Sequence, residues 1–209
     1  KIFSPHGDFK VNVKTMTIDE EPEKFDLVIL ACKAFNLKSA CQDIKKIVKE
    51  KALILPLLNG ISHLNFLKNF FGEKYVLGGA AHIAAVLTRD GSINQLNPIQ
   101  ILTIGDLNKN TSSISKEFAE LCKPADFSVI HSKTIEQAMW DKWTFLATLA
   151  SSTILFRNTV GAITESKLGA DLMLRIYDEC LIVADAENQK VSDKAKEKAL
   201  SILMKPGSD

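Results

Sequence analysis

The chain is 209 residues and 23.1 kDa, 46% hydrophobic and 24% charged, a globular composition that excludes intrinsic disorder. Lys plus Arg (26) offsets Asp plus Glu (25), so no net field draws it to nucleic acid or to an anionic membrane, and a small-molecule or protein partner is the default. Four cysteines, Cys32, Cys41, Cys122 and Cys180, form no CxxC pair and no metal-ligand spacing with the four histidines. They read as small apolar residues in a reducing, cytoplasmic compartment. The longest nearly uncharged run, residues 143–156, is too short to span a bilayer, which needs about 20 apolar residues.

In chain order, residues 9–17 alternate apolar and polar, the pattern of a strand with one exposed face. Residues 19–23, with Pro22, read as an acidic turn. Residues 26–32 (DLVILAC) form a continuous apolar run, expected of a strand covered on both faces. Over residues 37–48 the apolar positions 37, 40, 41, 44, 47 and 48 make a helical stripe, with Lys38, Lys45, Lys46 and Lys49 on the solvated side. Residues 52–58 (ALILPLL) are a second buried run, although Pro56 is awkward inside a central strand. Strand, helix, strand at this spacing is a βαβ unit with parallel strands.

A short helix over 61–71 follows, then a strand opening at Val76. Asp90-Gly91 is a turn, 99–104 a strand ending at Gly105-Asp106, 115–122 a helix and 127–130 a short strand. From Lys133 the pattern is helical throughout: 134–156, 168–189 and 192–204. The sequence thus reads as α/β, an incomplete Rossmann-type parallel-sheet domain over 1–132 followed by an all-helical domain over 133–209, truncated at both ends.

Ligands of open parallel sheets sit outside the carboxyl ends of the strands. Lys33 follows the first apolar strand and Asn59-Gly60 the second. Each has an ordinary reading, a solvated loop lysine and a left-handed turn, but at consecutive strand ends a ligand role gains. Lys142 stands on an apolar helix face, with Ala138 and Met139 before it and Phe145, Leu146 and Leu149 after it. Either its ammonium is buried and paired, with a lowered pKa suited to proton transfer, or its stem snorkels to water; the pattern leaves both open. His6, His63, His82 and His131 are scattered singly and read as surface or hydrogen-bonded structural residues. Gly78-Gly79-Ala80-Ala81 permits close backbone approach or a strand bend. Trp140 and Trp143 read as core or interface. Glu165, Asp171 and Asp178 carry no chemistry.

The ordered set KAFN after the first strand, LLNG after the second, the RDGSI turn, the IGD strand end and WDKW on the first late helix resembles the ketopantoate reductase (2-dehydropantoate 2-reductase) family. The resemblance implies a Rossmann-type domain binding NADPH and a helical substrate and dimerisation domain, with a homodimer among the assemblies it allows. It implies reduction of 2-dehydropantoate to pantoate, on the route to pantothenate and coenzyme A, with Lys142 as general acid. Asn59 would lie by the nicotinamide and that lysine, Gly60 would share the cofactor site and Lys33 would contact the cofactor. The family's phosphate-binding glycine turn and 2′-phosphate-selecting residue are expected upstream of Lys1. Its serine substrate motif and catalytic glutamate are expected downstream of Asp209, so this piece alone is expected to be inactive. Well-known members carry asparagines four and eight residues after the lysine, where this chain has Leu146 and Ala150. Two alternatives stand beside this reading: a reductase of another small 2-keto acid, and a non-catalytic dinucleotide-binding or dimerisation module.

Overall fold

The computed structural model describes residues 1–17, 20, 24–108 and 113–208. The chain divides into two compact units, residues 1–58 with 62–135, and residues 59–61 with 136–209.

In the first unit, β2 (Phe25–Leu30), α1 (Leu37–Ile44) and β3 (Val48–Pro56) form the βαβ element, and β2 and β3 pair in parallel. A short 3-10 turn, Ala34–Asn36, leads into α1. The helix buries Leu37 and Cys41 and ends before Lys45; Ile47 and Val48, which continue its stripe on paper, leave it, and Val48 opens β3. Lys38, Lys45, Lys46 and Lys49 are all exposed. Pro56 is the last residue of β3, where its missing N–H interrupts no further ladder. β2 differs from expectation: only Leu30 is buried, because among the described residues the strand has β3 as its single neighbour.

β4 (Leu77–Leu87) and β5 (Ile93–Asp106) form an antiparallel hairpin. Its Asp90-Gly91 turn is closed by the Asp90 carboxylate, which accepts from the Thr88 and Ser92 hydroxyls and the Ser92 N–H. These bonds, Thr88's foremost, hold the carboxyl below its usual pKa, and Gly91 takes φ +81°. β1 (Ile2–Phe3) and β6 (Ser128–His131) pair with β5 in parallel, and α3 (Ser113–Cys122) precedes β6. The core of this unit gathers Leu53, Leu55, Leu77, Ile104 and Ala119. Glycines 78 and 79 serve close approach within a continuous strand: a Cβ on Gly79 would lie 2.6 Å from the Pro56 carbonyl oxygen, and one on Gly78 2.7 Å from Ile135.

Two expectations need correction or restriction. Residues 10–17 form no strand; Phe9 makes one isolated bridge to Ile2, and Val11 and Val13 are exposed although their side chains alternate. Alternation creates a strand only where a partner supplies the ladder. The acidic turn at 19–23, apart from Glu20, lies outside the described residues.

The second unit contains α4 (Ile135–Phe156, its first residue grouping with the first unit), α5 (Val160–Thr164), α6 (Lys167–Ala186) and α7 (Asp193–Leu203). The five-residue α5 is absent from the sequence reading, which has no periodicity to use over so short a span. Thr159, Ser166 and Ser192 cap α5, α6 and α7 by accepting from the N–H groups of Ala162, Gly169 and Ala195. Val160, Ile163, Met173, Tyr177, Ala199 and Leu203 form its main core. Among the described residues no helix is long and apolar enough to cross a membrane.

Candidate active site

Helix α4 buries Met139, Trp140, Thr144, Thr148 and Ser152, a stripe advancing one turn at a time. Thr144 and Thr148 satisfy their hydroxyls by donating to the carbonyls of Asp141 and Thr144, so the helix keeps polar side chains on a dry face. Lys142 lies at the edge of that stripe and is half-buried. Its Nζ donates to Asn59 Oδ1 at 3.0 Å. Desolvation lowers its pKa below the ordinary lysine value.

Asn59 and Gly60 belong to the same compact unit as Lys142, through the short segment 59–61. Gly60 has φ +96°, a conformation glycine adopts without the Cβ penalty, and Asn59 is exposed. The next residue, Ile61, packs on a small cluster of Trp140, Ala184 and Val191 to which Trp143, Leu181 and Ala195 also contribute. The two indoles meet edge to face, centroids 5.2 Å apart. The tryptophans flanking Lys142 are therefore core. Ile61 escaped the sequence reading, in which it is one more apolar residue at the start of a helix; the helix begins only at His63.

Lys33 lies in the first unit, exposed, three residues beyond the carboxyl end of β2. That end and the end of β3 share one edge, since Leu30 pairs with Pro56 and the Leu57 N–H donates to the Leu30 carbonyl. Beside Lys33 the Phe35 ring is 84% exposed, an apolar surface at the edge where parallel sheets receive ligands. Within the second unit, the Lys142 ammonium, the Asn59 side-chain amide and the Gly60 backbone form a donor set suited to a nicotinamide and its ribose.

The histidines fall into different classes. The His6 ring contacts the Pro98 carbonyl at 2.8 Å on the surface. His131 Nε2 lies 3.2 Å from Ser115 Oγ, which donates to Asp106 Oδ2 at 3.0 Å. The hydroxyl proton being committed to Asp106, Nε2 is the donor to Ser115. The hydroxyl, rather than the imidazole, bridges the cluster, and Ser115 is fully buried, so this is a strand-end tie and not a nucleophile with its base. His63 departs from expectation: it is 5% exposed and its Nε2 has no hydrogen-bond partner among the described residues. Burial pushes its pKa down to about 4, which keeps the ring neutral and lowers the cost of the missing bond. Cys41 is buried, and burial followed by the nearby Cys32 pushes its thiol up to about 11; the other three cysteines are half-buried. Among the described residues no group of three or more His, Cys, Asp or Glu could hold a metal.

Known proteins match this arrangement. The sequence profile described as "Ketopantoate reductase PanE/ApbA" matches residues 1–109, and its C-terminal counterpart matches 134–208. An uncharacterised oxidoreductase, YkpB of Bacillus subtilis, is 28% identical over 88% of the chain and 60% of that protein. A 2-dehydropantoate 2-reductase of Streptococcus pyogenes is 27% identical over 90% of the chain and 62% of its own length. The chain thus spans about three-fifths of these curated relatives. The crystal structure of a 2-dehydropantoate 2-reductase from Geobacter metallireducens superposes with a TM-score of 0.89, covering 100% of this chain and 70% of that one at 23% identity, which shows the fold: a Rossmann-like parallel-sheet domain followed by a helical domain. Profile matches over 1–109 and 134–208 extend beyond half the chain and take in the Lys33 edge, the Asn59 turn and the Lys142 helix, so this chain belongs to the ketopantoate reductase PanE/ApbA family.

Proposed function

We propose that the protein reduces a small 2-keto acid with NADPH, 2-dehydropantoate being the substrate suggested by the curated relatives, and that Lys142 is its general acid. The observation that carries this reading is the 3.0 Å hydrogen bond from Lys142 Nζ to Asn59 Oδ1. Residues 1–132 serve as the NADP-binding domain and 133–209 as the helical substrate domain. The bound dinucleotide would supply the hydride. Lys33 would hold it at the β2 edge, and Asn59 and Gly60 would meet its nicotinamide end.

Lys142 donates to Asn59. Toward a substrate oxygen its ammonium would both stabilise developing negative charge and deliver the proton. Acid catalysis of this kind contributes about 10²–10⁴ in rate. Partial desolvation strengthens the interaction, and the lowered pKa makes the proton easier to give at neutral pH. Lys142→Ala is expected to remove most turnover while leaving NADPH affinity within about twofold, read by steady-state kinetics and fluorescence titration of the full-length protein. Near wild-type turnover in that variant would end the proposal.

A second reading, reduction of a different small 2-keto acid, is favoured by the residues one and two turns beyond Lys142. Leu146 is half-buried and Ala150 exposed, so this helix face offers no amide to a polar substrate tail. Comparing kcat/KM for 2-dehydropantoate with values for 2-keto acids bearing apolar side chains separates the two. The exposed Ile154, Leu168 and Ile182 support a homodimer formed through the helical unit.

A further inference from the structure

We infer that Ile61 is a positioning residue for the proton donor: its side chain, packed on the tryptophan cluster of α4, holds Asn59 where Lys142 donates to it. The inference rests on the reading of Lys142 as the acid. Donor and acceptor come from segments 83 residues apart, and the acceptor is an exposed side chain on a turn with no regular structure. An exposed asparagine on such a turn would ordinarily sample several rotamers and lose the bond to water.

What distinguishes this turn is the residue two positions on. Ile61 packs against the cluster of Trp140, Ala184 and Val191. Trp140 and Trp143 lie on the same helix as Lys142, two residues before it and one after, and they brace each other edge to face. One apolar contact therefore sets the turn against the very stretch of α4 that carries the ammonium. Gly60 makes this geometry possible: its φ of +96° lets the backbone reverse between an outward-facing Asn59 and an inward-facing Ile61, and a Cβ there would meet strain rather than a steric neighbour. The segment is short: residues 59–61 group with the helical unit while 58 and 62 do not.

The direct test is nuclear magnetic resonance on the 209-residue chain, reading the nuclear Overhauser effect between the Asn59 side-chain amide protons and the Lys142 ε-methylene. Wild-type protein and the conservative Ile61→Val are expected to show it, and Ile61→Ala is expected to lose it. If Ile61→Ala gives no dispersed amide spectrum, Ile61→Thr, close to valine in shape but less apolar, is read in the same way. Persistence of the contact in a folded Ile61→Ala or Ile61→Thr protein overturns the inference. In the full-length enzyme, Ile61→Ala is expected to lower kcat on the order of 10- to 100-fold, the scale of a misplacement near 1 Å. Added to Asn59→Ala it should cost nothing further, since both act through one bond; full additivity counts against it. Undiminished turnover in Lys142→Ala would sink the acid role alone, leaving the resonance result for Ile61 to stand or fall by itself.

Discussion

Lys142 and His63 show how burial turns a side chain's titration into a measurable property. In the acid role proposed for Lys142 the reactive form is the ammonium, and desolvation lowers its pKa. The kcat/KM of the full-length enzyme is therefore expected to fall on the alkaline side at a pH below the ordinary lysine value of 10.5, and the limb should vanish from the residual rate of Lys142→Ala. For His63 the folded pKa of about 4 lies below the ordinary histidine value of 6.5, so between those values the unfolded chain binds the extra proton. Stability is then complete above pH 6.5 and declines as pH falls toward 4, by about 2 kcal/mol at pH 5 and about 3 kcal/mol at the limit. Urea midpoints at pH 7 and pH 5 should show this loss, and His63→Leu should remove most of it.

At the scale of elements, close packing decides positions that propensity leaves open. Gly79 has an ordinary negative φ, so its conformation does not require glycine; the Pro56 carbonyl does, because a Cβ would sit 2.6 Å from it and 2.8 Å from Leu55. Gly79→Ala must push β4 away from the end of β3, at an expected cost of about 1–3 kcal/mol, measured as a fall in Tm with little change in spectrum. The same logic separates β2 from residues 9–17. Both have strand composition, but β2 has β3 as a hydrogen-bonded neighbour, whereas among the described residues 10–17 pair with no strand. The βαβ element, the Asp-Gly hairpin and the three long helices were legible in the residues because each depends on local periodicity or turn chemistry. The coverage of β2 and the ends of α1 depend on neighbours far along the chain, and were not.

For the whole molecule, the two units have separate apolar cores, one built around Leu55 and Ile104, the other around Met173, Tyr177 and Leu203. Both tryptophans belong to the second unit, so indole fluorescence reports on it alone. Amide exchange of β3 residues 52–55, all buried, reports on the first. Domains with independent cores need not unfold together, and the two probes are expected to give distinct urea midpoints. Coincident transitions would mean that the units unfold as one cooperative body.

The sequence by itself determined the class of architecture and the family, since apolar periodicity, turn residues and the ordered motifs around Lys33, Asn59 and Lys142 are local properties of the chain. It left open whether Lys142 was paired or solvated, because helical spacing states which face a side chain occupies but not what meets that face. Only the tertiary structure decided that the ammonium is half-buried on the Asn59 carbonyl oxygen, and that Ile61 packs beside it. Contacts between segments 83 residues apart are chosen by the packing of the whole unit, in which many weak apolar contacts outweigh any single local preference.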